Sequence, residues 1–283
     1  MKRTDARRLT ELALLLLLLI GGAREYTRRL ERAAERQILQ QLGGQGQVQV
    51  HIRPRWGALG VWTARAEDIW VWATGFQTAR IPFFTEPTAP AWRGVASRVR
   101  IVLEDFRLSG FPIYRLEATI PQVLLDSREA ALRLRIRLFD APWGTGWVML
   151  DEQGLVEFVR RRLPEVRSPQ VQITPSRLYI RGELAALLTA WRFEAQGEVA
   201  VREGRYVVVE QAQVHLEGTE LHHELVQKVV SALNPILDIE RDLQLGKAFF
   251  AERVELQSGF IKLAGRATVP PRESGGNDGY RKQ

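Results

Sequence analysis

Hydrophobic and polar positions change their period twice along this chain. From Leu12 to Ala23 the residues are apolar almost without interruption. About a dozen such residues suit the centre of an export signal and fall short of the ~20 needed to cross hydrocarbon. Next, Tyr26, Leu30, Ala34, Ile38 and Leu42 recur every fourth residue through Arg- and Glu-rich sequence. That stripe predicts an amphipathic helix stopped by Gly43-Gly44. Beyond it the period drops to two. Val48, Val50 and Ile52 share one face of QVQVHI, as do Val99, Ile101 and Leu103 in RVRIVLED. In LRLRIRLF, Leu132, Leu134, Ile136 and Leu138 share a face, with Arg133, Arg135 and Arg137 opposite. These alternations predict antiparallel strands with one wet face.

Shorter strands are expected at 171–173, 178–180, 198–201, 206–216, 253–256 and 260–265, with turns at Ser109-Gly110, Glu203-Gly204 and Ser258-Gly259. Two further helices interrupt them. DEQGLVEFVRRRLP offers Asp151 as a cap, Leu155, Phe158, Val159 and Leu163 on one side, and three arginines that complement the dipole before Pro164. GTELHHELVQKVVSALNPILD carries Leu221, Leu225, Val229 and Leu233 in register until Pro235 forces a kink or stop. GELAALLTAW has helical spacing but strands for neighbours, and is read as extended. Past Val269 there is too little apolar sequence to pack, so residues 270–283 are expected to form a disordered tail.

The organisation that follows is a signal peptide or short membrane anchor at 1–23 and a single domain at 24–269. Lys2, Arg3, Arg7 and Arg8 give the leader the basic flank that stays cytoplasmic, and Gly21-Gly22-Ala23 would admit a signal peptidase. Export is therefore expected.

Composition narrows the function classes. A chain of 283 residues, 45% hydrophobic and 26% charged, can bury a core. It has no cysteine, which removes disulfides and thiolate metal sites. The net charge of +7 comes largely from arginine and suits anionic lipid headgroups as readily as nucleic acid. The arginines alternate along strands instead of clustering around a recognition motif, so nucleic acid is not the expected partner. There is no G-x-S-x-G elbow, phosphate loop or dinucleotide fingerprint. His222-His223-Glu224 lacks a second histidine at the spacing zinc requires. Neither an enzyme, a metal nor a cofactor is expected.

Three stretches in order, AAERQILQQLGGQGQVQVHI, LDEQGLVEFVRRRLPEVRSPQVQITPSRLYIRGEL and ALNPILDIERDLQLGKAFFAERVELQSGFIKLAGRA, resemble the LmeA-like phospholipid-binding family of bacterial envelope proteins. The resemblance spans most of residues 24–266 and is most specific at Asn234-Pro235-Ile236-Leu237-Asp238. It implies an α+β fold in which a long curved antiparallel β-sheet wraps around amphipathic helices, similar to tubular lipid-binding folds. It also implies a phospholipid partner at a membrane surface, with no catalytic motif to carry over.

Apolar strand faces and amphipathic helices could enclose acyl chains in a groove. The same pattern would make a dry core, and a structural or scaffolding envelope protein is the alternative. Trp70 and Trp72 share a strand face, and Phe83 and Phe84 follow in IPFF, which suits an aromatic lipid-facing rim. Leu225, Val229 and Leu233, with Ile236 beyond the break, are the candidate groove lining.

Overall fold

The computed structural model describes residues 3–55, 65–88, 92–186, 189–216, 231 and 234–272. Helix α1 (Arg3–Gln41) runs without a break from the apolar leader through the amphipathic stripe. The expected leader and first helix are thus one element, with Gly21 and Gly22 inside it. Among the described residues no helix is long and apolar enough to cross a membrane. On the stripe, Ala34, Ile38 and Leu42 are buried. Gly43 and Gly44, both at positive φ, then turn the chain into β1 (Gln47–Pro54).

A nine-stranded sheet follows. Its members are β1, β2 (Arg65–Thr74), β3 (Gln77–Thr78), β4 (Arg93–Leu108), β5 (Phe111–Asp126), β6 (Leu138–Asp140), β7 (Gly144–Asp151), β13 (Phe249–Gln257) and β14 (Phe260–Ala267). The order is β1-β2-β4-β5-β7-β14-β13, with β3 beside β4 and β6 beside β5. Pairing is antiparallel except that β2 and β3 lie parallel to β4. Non-glycine residues at positive φ interrupt the pairing of β4 and β5 at Asp105 and Gln122. Irregularities of this kind bend strands and increase their twist.

The second sheet has the order β12-β11-β10-β9-β8, from β8 (Val166–Ile173), β9 (Leu178–Ala186), β10 (Thr189–Arg202), β11 (Tyr206–Leu216) and β12 (Leu237–Asp238). It curls into a half-barrel. The described parts of GELAALLTAW are extended as expected, residues 182–186 in β9 and 189–191 in β10. The two sheets share one core that reaches from Ala34 and Val50 to Val207 and Leu263. The architecture is α+β with a curved sheet around helices.

Two departures from the expected pattern have plain causes. LRLRIRLF is a strand only at its end, where Leu138 and Phe139 belong to β6. Asp126 caps a helix α2 (Ser127–Arg133) by accepting from the Arg128 and Glu129 amides at 2.9 and 3.1 Å. Once capped, SREAALR has good helix formers, and the chain leaves through Leu134 in the left-handed region. Leu132, expected to face inward, is 68% exposed. Residues 270–272, expected to open the disordered tail, are instead held against Thr85, and residues 273–283 lie outside the described residues. Thr85 donates to the Pro270 carbonyl at 2.9 Å and accepts from the Arg272 amide at 2.8 Å.

Helix α3 (Glu152–Arg162) forms as read, with Asp151 accepting from the Gly154 amide at 2.8 Å and Leu155, Phe158 and Val159 buried. Arg107 of β4 holds it through a two-pronged pair with Glu157 at 2.7 and 2.8 Å. Its guanidinium keeps the Glu157 carboxyl below the ordinary carboxylate range.

The Asn234–Asp242 stretch staples the second sheet. Across a cis Asn234-Pro235 bond, the Asn234 side chain accepts from the Val209 amide at 3.2 Å and donates to its carbonyl at 3.0 Å, standing in for a strand partner of β11. Ile236 donates to the Val207 carbonyl, and Ile236, Leu237 and Ile239 are each 1% exposed. Arg205 grips Asp238 through two 2.8 Å bonds, while the Glu240 and Arg241 amides donate to the same carboxylate.

Candidate functional site

The N-terminal edge of the first sheet is closed by α1. Among the described residues strand β1 has a strand partner on one side only, and its outward amides at Val50 and Ile52 donate to Glu35 and Glu31 of α1 at 3.0 and 2.7 Å. Glutamates four residues apart lie on one helix face, so a helix can serve alternate amides of an extended strand. An edge that would otherwise template aggregation is covered, and α1 is fixed over the sheet's inner face.

A cavity of about 480 Å³ lies beneath this helix. Its floor is the apolar inner face of the sheet: Val50 from β1, Ile69 and Val71 from β2, Val99 and Ile101 from β4. Ala33, Ala34, Gln37 and Ile38 of α1 form the roof. The sides are Phe83 and Phe84 before β4, and the segment from Arg133 to Leu138. That volume is within the range of small-ligand pockets. Among the described residues a more open hollow of about 460 Å³ lies on the opposite face of the sheet, lined by Gln49, Trp70, Trp72, Arg100 and Arg115 among others, and two small apolar spaces hold about 20 and 30 Å³.

The lining is charged at its rim. Arg36, Arg133, Arg135, Arg137 and Arg272 contribute to the walls, against Glu86. Arg272 pairs with Glu86 at 3.0 Å and lies over the Phe84 ring at 4.0 Å. Arg133 and Arg137 share Glu129, at 3.0 and 3.9 Å. Among the described residues, Arg36 and Arg135 have no carboxylate partner; the Arg36 side chain donates only to the Arg32 carbonyl. Gln37 donates to the Ile136 carbonyl at 3.3 Å, and its Oε1 is buried with no protein partner. An apolar trough with surplus guanidinium groups at its edge can take an amphiphile with an anionic head. Among the described residues no group of His, Asp and Glu is placed to hold a metal.

The model of the LmeA-like phospholipid-binding family matches residues 83–266. The chain belongs to this family. Family membership supports a lipid-binding role. Comparisons with curated proteins and with solved structures gave no match. The match starts at Phe83, so α1, β1 and β2, which supply the cavity's roof and three of the five floor residues, lie outside the family region.

The expected site residues separate. Phe83 and Phe84 are half-buried in the cavity wall. Trp70 and Trp72 point the other way, because Ile69, Val71 and Ala73 take the buried face of β2. On the outer face Trp72 donates to Glu104 at 2.9 Å, and the sheet stands between both tryptophans and the cavity. They form no rim with the phenylalanines. Ile236 is core within the staple and does not line the cavity. Leu225, Val229 and Leu233, with the helix expected around them and the His222-His223 pair, lie outside the described residues.

Arg36, Gln37 and Arg135 were not legible as site residues. Arg135 was expected on the wet face of a strand that forms only from Leu138 on, and no local pattern singled out Arg36. A signal did exist for the clamp that builds the site. Glu31 and Glu35, four apart on the helix before an edge strand, carry it.

Proposed function

We propose that the protein captures a phospholipid without covalent chemistry, seating acyl chain on the Val50, Ile69, Val71, Val99, Ile101 floor and the phosphate among the rim arginines. The observation that carries this reading is the combination of a cavity of about 480 Å³ with an apolar floor and two rim arginines, Arg36 and Arg135, that have no carboxylate partner among the described residues. Each methylene removed from water contributes ~0.8 kcal/mol. Guanidinium pairs with phosphate bidentately, which favours an anionic head over a neutral one. A headgroup hydroxyl donating to Gln37 Oε1 would satisfy the buried acceptor.

The setting we infer is the bacterial cell envelope, after export, at an anionic membrane surface. The apolar run at 12–23 and the arginine excess support it. That run leads directly into the roof of the cavity, so a leader left uncut would hold the lipid site beside the bilayer as a short anchor.

Native mass spectrometry and lipid extraction of the purified chain test the reading. Bound phospholipid is expected in the unaltered protein. Ala33→Trp places bulk in the cavity from a half-buried roof position and should abolish it, while Arg36→Glu with Arg135→Glu should cut retention of anionic lipid more than of zwitterionic lipid. Full lipid content in Ala33→Trp would move the site elsewhere. A chain carrying no lipid when purified, and taking none up, would favour a scaffolding role.

A further inference from the structure

The most exposed large apolar side chains among the described residues are Leu132, at 68%, and Trp92, at 59%. They flank one small element. Trp92 accepts from the Ser127 amide at 3.1 Å at the start of α2, and Leu132 lies at its other end. No residue of α2 is buried. Its surroundings are basic: Arg93, Arg128, Arg133 and Arg135 are exposed, and the carboxylate of α2, Glu129, is 13% exposed and already paired with Arg133. Among the described residues, Arg93, Arg128 and Arg135 have no acidic partner.

The same element is pinned to α1. Tyr26 donates to the Ala130 carbonyl at 2.6 Å, with burial pushing the phenol up from its usual range. Three residues upstream, at Ala23, the apolar run of the leader ends, about 4.5 Å along the helix axis. In the other direction α1 reaches the cavity roof at Ala33, and the chain leaving α2 enters the cavity wall at Arg133. Exposed tryptophan and leucine within a ring of arginine are the composition of a surface that seats at a headgroup boundary.

The geometry points to α2 and Trp92 as a docking foot for an anionic phospholipid bilayer, placing the arginine rim where a lipid leaves the membrane. This rests on the lipid-capture reading. Charge complementarity and the apolar run of α1 at the same end of the molecule select a bilayer as the occupant, ahead of a protein.

The chain has no cysteine, which makes single-site labelling clean. Leu132→Cys would carry an environment-sensitive dye in the full-length chain. Ser258→Cys would serve as control in the exposed β13–β14 turn, beside the Phe111 end of β5, whereas α2 follows its Asp126 end. Along the strand those ends are about 40 Å apart. With phosphatidylcholine–phosphatidylglycerol vesicles the Leu132→Cys dye should be quenched by a membrane-embedded quencher and the Ser258→Cys dye should not. Pure phosphatidylcholine should give a weaker signal. Equal quenching at both sites, or at neither, overturns the proposal, as does a dye response that tracks protein concentration without vesicles, which would mean a second copy covers the foot.

A second measurement separates the two readings. Trp92→Ser with Leu132→Ser should slow lipid uptake from vesicles several-fold and leave uptake from detergent micelles unchanged, because neither side chain lines the cavity. Unchanged vesicle uptake with normal micelle uptake overturns the foot alone. Absence of uptake from either source in the unaltered chain overturns lipid capture, on which the foot depends.

Discussion

The cavity beneath α1 and the Asn234–Asp242 staple are built on opposite terms. Around the staple the polar side chains that meet the sheet are engaged: Asn234 pairs with both backbone groups of Val209, and Asp238 serves Arg205 and two amides. Its apolar residues are 1% exposed. Among the described residues around the cavity, the Gln37 amide oxygen has no protein partner and the Arg36 and Arg135 guanidinium groups have no carboxylate partner, and about 480 Å³ is open. The stretch with the most specific sequence signature therefore holds the fold, and the candidate for ligand capture lies where the sequence looks ordinary. A motif can be distinctive because its geometry is demanding, without touching a ligand.

Substitutions that empty or unpair the staple should sharpen this contrast most. Leu237→Ala removes a side chain 1% exposed and should cost ~2–5 kcal/mol, visible in chemical denaturation. Lipid bound per folded molecule should not change. A selective loss of lipid in this variant would tie the staple to the ligand and break the comparison.

Asn234→Ala strips partners from the Val209 amide and carbonyl, with an expected cost of about 1–3 kcal/mol. Aspartate at the same position could still accept but not donate, and should recover part of the loss.

Acidification gives a smaller and signed effect. The Arg205 guanidinium, followed by the Arg241 and Glu240 amides, holds the Asp238 carboxyl below its usual range, with burial opposing. A depressed folded pKa stabilises the protein fully above the unfolded value, about 3.9 for aspartate, and that contribution disappears as pH falls through the folded value. Asp238→Asn should therefore be less stable than the parent at neutral pH, and the gap should close below about pH 4. Thermal unfolding across that range measures it; a gap that widens on acidification would contradict the assignment.

The smallest effect on folding is expected in the cavity. Ala33→Trp should leave the melting temperature of the lipid-free chain nearly unchanged while bound lipid is lost, since added bulk meets open space. In a close-packed region the same enlargement costs ~1–3 kcal/mol, so a clear drop in melting temperature would show that the cavity is not available to a ligand.

By itself the sequence determined the elements whose signal is local and long enough to be unambiguous. Alternation in QVQVHI and RVRIVLED marked β1 and β4, and the Asp151 cap with its apolar stripe marked α3, because period and capping depend on neighbours within a few residues. Strands β5 and β7 were passed over. Their interiors mix small, charged and aromatic residues, and pairing with β4 and β14 defines them.

Tertiary structure decided the rest. The alternation in LRLRIRLF reads as one strand, but the helix capped by Asp126 takes Leu132 and Arg133, the chain turns at Leu134, and only Leu138 and Phe139 join a strand, β6. Period two placed Trp70 and Trp72 on a common face, but only the packing of Ile69 and Val71 beneath α1 determined that this face is the outer one. The cavity itself comes from contacts between positions far apart in the chain: glutamates of α1 on the edge of β1, and Gln37 on the Ile136 carbonyl. No local pattern encodes such a meeting, because its cost and gain appear only when the distant segments close on each other.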